Sequence, residues 1–240
     1  MGLTVNPSSQ ELKSLKLLTA IVPCSFRFAV ELLAVLVMRP EYETLKGTTT
    51  LGIKSRDGVV LAADKRATAG QYIAGKTVQK IAKINERCAL TVAGSVAEAF
   101  QLVDRLKAEA SLYELSHGRI PKIHTLANFT ALTINTKKFI SMPVQLLLAG
   151  YDDSPRLYMI DFFGSLSEEE YISTGSGSRM ALGSLIGKRV TELSLAETEE
   201  AAVAAIGSAI EWDTATGEGI DLATISKSGM AFRTVTLHRS

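Results

Sequence analysis

Strand-forming segments in this chain arrive in pairs, each closed by a short polar turn, and that ordering restricts the possible folds more than any other feature. Thr49 to Arg56 reads as a strand, Asp57-Gly58 is the strongest short hairpin signal, and Val59 to Lys65 returns. A second pair, Lys80 to Ile84 and Ala89 to Ala93, turns through Asn85-Glu86-Arg87. A third, Gln145 to Tyr151 and Arg156 to Asp161, turns through Asp152-Asp153-Ser154-Pro155. Tyr171 to Thr174, Leu222 to Ile225 and Phe232 to Leu237 add further strands. Helices pair as well. Ser95 and Glu98 have the S-x-x-E form of a capping box, opening a helix to about Leu115 with Val96, Ala99, Phe100, Val103, Leu106 and Leu112 on or near one face. Ile123 to Lys138 follows, and Arg179 to Val190 and Glu197 to Trp212 make the later pair. Pairs of like elements, rather than βαβ alternation, predict an α+β fold of antiparallel sheets with helices layered outside.

With 240 residues, 46% of them hydrophobic, one domain can bury a substantial core. The formal net charge is +1 with both signs interspersed, so the basic footprint of a nucleic-acid partner is missing. Cys24 and Cys88 form no C-x-x-C pair, and His117, His124 and His238 offer no zinc spacing, which suits a reducing cytoplasm and no metal.

The segment from Leu17 to Met38 is largely apolar and approaches the length of a membrane span. Arg27 and Glu31 interrupt it, at a cost of about 2.5–3.5 kcal/mol per charge near the middle of a span, which argues against a membrane. A signal peptide would end in small residues, whereas this segment ends Val35-Leu36-Val37-Met38-Arg39-Pro40. Three readings stay open: an unusual propeptide, an amphipathic helix packed on a partner, or residues 1–37 as untranslated upstream sequence. The third is favoured, since Met38 would then begin a short polar leader ending at Gly47.

That leader runs into Gly47-Thr48-Thr49-Thr50. Threonine runs favour strands, because β-branched side chains suit a pleated surface. They also allow chemistry. A threonine hydroxyl is a poor nucleophile unless a base sits beside it, and cleavage after Gly47 would give Thr48 its own α-amine, with a reference pKa of about 7.7–8.0. Internal attack by Thr48 Oγ1 on the Gly47 carbonyl would convert amide to ester and let water release the leader. Gly47 has no side chain to block the approach.

The stretch G-T-T-T-L-G-I-K-S-R-D-G-V-V-L-A-A-D-K-R-A-T from Gly47 resembles the start of a proteasome β subunit of the archaeal type. The likeness continues through Lys80, the Gly94-Ser95 turn, T-G-S-G-S at 174–178 and D-T-A-T-G-E-G-I-D at 213–221. It implies a four-layer αββα sandwich, two antiparallel sheets flanked by helices, in an N-terminal-nucleophile hydrolase. It also implies a leader, 1–47, ahead of a single peptidase domain, 48–240. The partners it implies are other β subunits in seven-membered rings, α-subunit rings, a regulatory ATPase reached through those rings, and unfolded polypeptide as substrate. No cofactor is implied.

By the same resemblance Thr48 is the nucleophile, Lys80 the cation that lowers its pKa, and Asp64 the partner of Lys80. Sixteen residues separate Thr48 from Asp64 and sixteen more reach Lys80, matching the family without a gap. Gly94, between a strand and a helix N-terminus, is matched to the family's oxyanion donor. Ser176 and Asp213 are matched to groups that bond the amine and the catalytic water. Thr216 stands where the family usually has serine, keeping the hydroxyl and adding a methyl. Ala67, Val78, Ala82, Val92 and Val96 align with the pocket for the residue preceding the scissile bond, and none is charged. Bacterial two-ring relatives usually read G-D-G-Q at the first carboxylate, unlike Asp64-Lys65-Arg66-Ala67-Thr68 here. The alternative function is a catalytically silent ring subunit that keeps its leader and serves assembly.

Overall fold

A computed structural model of the chain describes residues 45–137 and 144–236. The open question over residues 1–37 therefore lies outside the described residues. Hairpin after hairpin builds two five-stranded antiparallel sheets. The first orders β11 (Tyr171–Gly175), β2 (Thr49–Lys54), β3 (Gly58–Asp64), β12 (Ile220–Ser226) and β13 (Gly229–Val235). The second orders β10 (Leu166–Glu168), β9 (Pro155–Ile160), β8 (Val144–Tyr151), β7 (Cys88–Gly94) and β6 (Ile81–Asn85). Helices α1 (Val96–His117) and α2 (Ile123–Lys137) cover the second sheet; α3 (Ser178–Gly183) and α4 (Leu195–Trp212) cover the first.

The period-two alternation of side chains produces the layering. On β3, Val60 and Ala62 pack with Ala202, Ala205 and Ile206 of α4, while Val59, Leu61 and Ala63 face Leu147 and Ala149 between the sheets. On β8, Leu146 and Leu148 turn the other way, toward Leu106 of α1 and Ile123 of α2. Both faces of β3 are buried, so its apolar residues run on without alternating. The result is the four-layer αββα sandwich expected above.

Register then gathers one end of the first sheet. Thr50 pairs with Ala63, Thr49 with Gly175, and Ile220 with Asp64, so the start of β2 meets the ends of β3 and β11 and the start of β12. A small third sheet orders β1 (Leu45–Lys46), β4 (Ala67–Ala69) and β5 (Tyr72–Gly75) beside it.

Three local expectations are corrected. Ser95 stands at the N-cap of α1, but its side chain makes no capping bond. The capping box is instead at α4, where Ser194 and Glu197 bond reciprocally. Phe100 and Leu112 are exposed, because the buried stripe of α1 runs Ala99, Val103, Leu106, Ala110 and leaves them off its axis. The segment 179–190 is not one helix: α3 stops at Gly183, and a 3-10 turn, Val190–Glu192, follows after Gly187. Glycines within a helix weaken it by about 1 kcal/mol each relative to alanine, and this short segment cannot absorb that.

Replacing Ser194 by alanine should destabilise the fold by about 1 kcal/mol, whereas Ser95→Ala should change it by less than about 0.5. Urea unfolding of the two variants against the parent measures the contrast, and equal losses would refute the assignment of the cap to α4.

Candidate active site

Asp64, the last residue of β3, and Lys80, one residue before β6, form a buried ion pair with Nζ 2.6 Å from Oδ1. Their side chains are 0% and 5% exposed, so this is not a solvated surface pair. Burial pushes the Asp64 carboxyl up and the Lys80 ammonium down from their ordinary values, each opposed by the other's charge. The hydrogen-bond inventory assigns both as charged. Oδ1 of Asp64 accepts from Thr49 N–H at 2.8 Å as well as from Lys80, and Oδ2 accepts from the N–H groups of Arg66 at 3.1 Å and Gly217 at 3.0 Å. A proton on either oxygen would displace one of these four donors. Lys80 has three protons and three acceptors: Asp64 Oδ1, the Arg66 carbonyl at 2.5 Å and the Gly47 carbonyl at 3.1 Å.

The Gly47 oxygen also accepts from Thr48 Oγ1 at 2.7 Å. Two donors, one of them a cation, therefore polarise the carbonyl that precedes Thr48. Gly47 sits at φ +125°, and a Cβ there would lie 2.2 Å from Thr68 Oγ1. Only glycine allows this backbone to pass.

On the other side of Thr48, Ser176 N–H donates to its carbonyl at 2.9 Å and Ser176 Oγ to Asp213 Oδ2 at 2.5 Å. Thr216 Oγ1 gives its proton to the same Asp213 oxygen at 2.5 Å, so Thr49 Oγ1, 2.7 Å away, must donate to Thr216. Gly177 N–H feeds Thr49 Oγ1 at 3.1 Å, completing a directional chain from Gly177 to Asp213. The added methyl of Thr216 does not displace its hydroxyl. Asp213 reaches Thr48 only through Ser176 and the Thr216–Thr49 link among the described bonds.

A pocket opens beside Thr48, lined by Ala67, Val78, Ala82 and Val92 together with Gly47, Lys80 and Gly94. The Val96 side chain lies outside the described residues. Helix α1 adds Ala99, Phe100 and Val103, which the sequence places on or near one face of the helix but does not assign to the pocket. Their position in the first two turns of the helix that follows Gly94 was the available signal. The backbone contributions of Arg66 and Gly217 were also missed, since a carbonyl or N–H leaves no trace in side-chain chemistry.

Other chemistries find little support. Cys88 is fully buried and burial pushes its thiol up, which leaves no thiolate for nucleophilic work. Among the described residues no group of His, Cys, Asp and Glu could hold a metal ion, and no helix is long and apolar enough to cross a membrane.

A family model described as "Proteasome subunit" matches residues 44–225. The chain is 47% identical over 189 residues to proteasome subunit beta 2 of Ignicoccus hospitalis, covering 79% of this chain and 89% of that one. It is 46% identical to proteasome subunit beta 2 of Hyperthermus butylicus, over 78% of this chain and 88% of the relative. Proteasome subunit beta of Methanopyrus kandleri is 48% identical over 76% of this chain and 88% of its own.

Removing Asp64 would strand a buried ammonium and three N–H donors. Asp64→Ala should cost about 3–5 kcal/mol of folding stability, the range for breaking a buried pair from one side. Urea unfolding measures it, and a loss under about 1 kcal/mol would mean that water reaches the pair.

Proposed function

The chain belongs to the proteasome subunit family, as a subunit of beta type, and on that premise we propose that it is a threonine peptidase whose nucleophile is Thr48. The observation that carries this reading is the convergence of Thr48 Oγ1 and Lys80 Nζ on the Gly47 carbonyl oxygen. A carbonyl held by an ammonium is activated toward the hydroxyl already in contact with it. Addition of Oγ1 to the Gly47 carbon, with the proton passing to the departing amide nitrogen, gives an ester and a free α-amine. Water then hydrolyses the ester and frees the leader, residues up to Gly47, from the peptidase domain, 48–240.

Release of the leader removes one of the three acceptors of Lys80. Its third N–H is then free to turn to Thr48 Oγ1, where a nearby cation favours the alkoxide. The new amine would act as general base, through a water, near neutral pH, with Ser176 and Asp213 in the roles the family resemblance gives them as its hydrogen-bond partners. Gly94, at the pocket wall where β7 ends, supplies the backbone N–H for the oxyanion.

The leader also supports a mode of substrate binding. Its last residues form β1, antiparallel to β4, with Leu45 opposite Ala69 and Lys46 opposite Thr68. An unfolded polypeptide would add to the same strand edge, main chain to main chain, and place a side chain in the pocket beside Thr48. The partners follow from the family: seven-membered rings of β subunits, capped by α-subunit rings through which a regulatory ATPase delivers substrate in the cytoplasm. A silent ring subunit would keep the Gly47–Thr48 bond, and N-terminal sequencing of assembled particles separates the two cases.

Those particles should begin at Thr48; a dominant species with any other N-terminus would sink the threonine assignment. Thr48→Ala should abolish peptide hydrolysis and leave the leader attached, and hydrolysis at the parent rate would refute it. Gly47→Ala should retain the leader for a different reason, steric strain at the turn, readable by intact mass. In correctly processed particles Lys80→Ala should lower kcat/KM by at least about 10²-fold, the lower end for losing a preorganised electrostatic contributor.

Lys80, the charged residue on the lining, is held by Asp64, and Ala67, Val78, Ala82, Val92, Ala99 and Val103 offer a charged side chain no counter-ion. Fluorogenic peptides differing only before the cleaved bond should show graded kcat/KM among leucine, tyrosine and phenylalanine, since one methylene is worth about 1–3 kcal/mol. Aspartate and arginine should be rejected. Faster cleavage after either than after leucine would show that the pocket is misassigned.

A further inference from the structure

Arg66 and Glu218 form a brace that none of these steps uses. Glu218 is the one non-glycine among the described residues at positive φ, +70°. A residue with a Cβ rarely adopts that conformation, so its surroundings must hold it there. Its Oε1 accepts from Arg66 Nη2 at 3.0 Å, while Nη1 of the same guanidinium donates to the Thr214 carbonyl at 2.8 Å. The guanidinium closes over Gly217, where a Cβ would come within 2.5 Å of its central carbon. Arg66 Nε is buried and has no partner among the described residues, a cost that a casual surface pair would avoid. The two side chains are only 14% and 23% exposed.

This strained contact occupies a point of leverage. The Arg66 backbone belongs to one half of the site: its N–H bonds Asp64 and its carbonyl holds Lys80. Its side chain grips the other half, the loop 213–218, whose Asp213 and Thr216 bond Ser176 and Thr49. Gly217 N–H ties that loop back to Asp64.

We propose that Glu218, through Arg66, is a positioning residue that fixes the Asp213–Thr216 side of the site relative to the Asp64–Lys80 pair. It touches no reacting atom. The proposal rests on the threonine chemistry proposed for Thr48, because the two halves it joins are those that would flank the amine and the hydroxyl.

The test compares Glu218→Gly, Glu218→Ala and Glu218→Gln in assembled, processed particles by peptide hydrolysis and by amide hydrogen exchange at residues 215–217. Glycine relieves the strain, so Glu218→Gly should be at least as resistant to urea as the parent. It should nevertheless lose about tenfold in kcat with KM within about twofold, since displacement by as little as 1 Å can cost about 10²-fold. Glu218→Ala should lose as much, and Glu218→Gln, which keeps an acceptor for Arg66, should stay within about threefold of the parent. Protection of the Gly217 amide should fall about tenfold in the glycine variant. Parent kcat in Glu218→Gly, or unchanged Gly217 protection, overturns the proposal. Parent particles that expose Thr48 yet hydrolyse nothing would sink the threonine chemistry instead, and exchange at Gly217 needs no turnover to be read.

Discussion

The buried Asp64–Lys80 pair is the constraint around which the rest of the site is arranged. Taking two charges out of water costs several kcal/mol per ion, and attraction alone recovers that only when every remaining donor and acceptor is matched. Here they are matched by backbone drawn from separate parts of the chain: Thr49 at the start of β2, Arg66 before β4, and Gly217 in the loop ahead of β12. The pair therefore acts as a staple. Satisfying it requires β2, β3 and the 213–218 loop to converge at one end of the first sheet, and that convergence places Thr48.

A second buried polar link runs behind the first. Thr91 on β7 donates to Thr50 Oγ1 at 3.1 Å, and Thr50 bonds Thr174 Oγ1 on β11 at 2.7 Å. These hydroxyls cross the otherwise apolar space between the sheets, and each is almost wholly buried. A satisfied polar contact in such a place is directional where methyl packing is not, so it registers one sheet against the other. Its position, two residues from Thr48, ties the spacing of the pocket wall on β7 to the strand that bears the threonine.

Much of this was legible in the sequence because it depends on side chains and spacing. Asp57-Gly58 announced the β2–β3 hairpin, and the family resemblance, kept in register at intervals of sixteen residues, pointed to Asp64 and Lys80. The strands β4 and β5 were not legible: A-T-A and Y-I-A-G are too short to show alternation, and their pairing depends on a neighbouring edge. The cap of α1 misled for a related reason. Ser95 and Glu98 have the right spacing, but chain direction out of β7 decides whether a hydroxyl can turn back, and spacing carries no information about direction. At Ser194 the same pattern does close. Arg66 shows the limit most clearly, since its carbonyl serves Lys80 and any residue type could supply a carbonyl.

The T-G-S-G-S run shows how a motif's physical cause can differ from its usual reading. Glycine and serine in a loop before a helix suggest a phosphate cradle. In the folded chain the space beside these glycines is already taken. A Cβ on Gly175, at φ +94°, would lie 1.8 Å from the Thr48 carbonyl oxygen, and one on Gly177 would lie 2.4 Å from Thr49 Oγ1. The glycines let β11 close against the first two residues of the T-T-T run, and Ser176 between them uses its N–H on Thr48 rather than on an anion. The run abuts a six-residue helix, α3. A phosphate site would draw on a long helix with free N-terminal amides, whereas a loop that has to grip a strand end needs only close approach, one N–H and one hydroxyl.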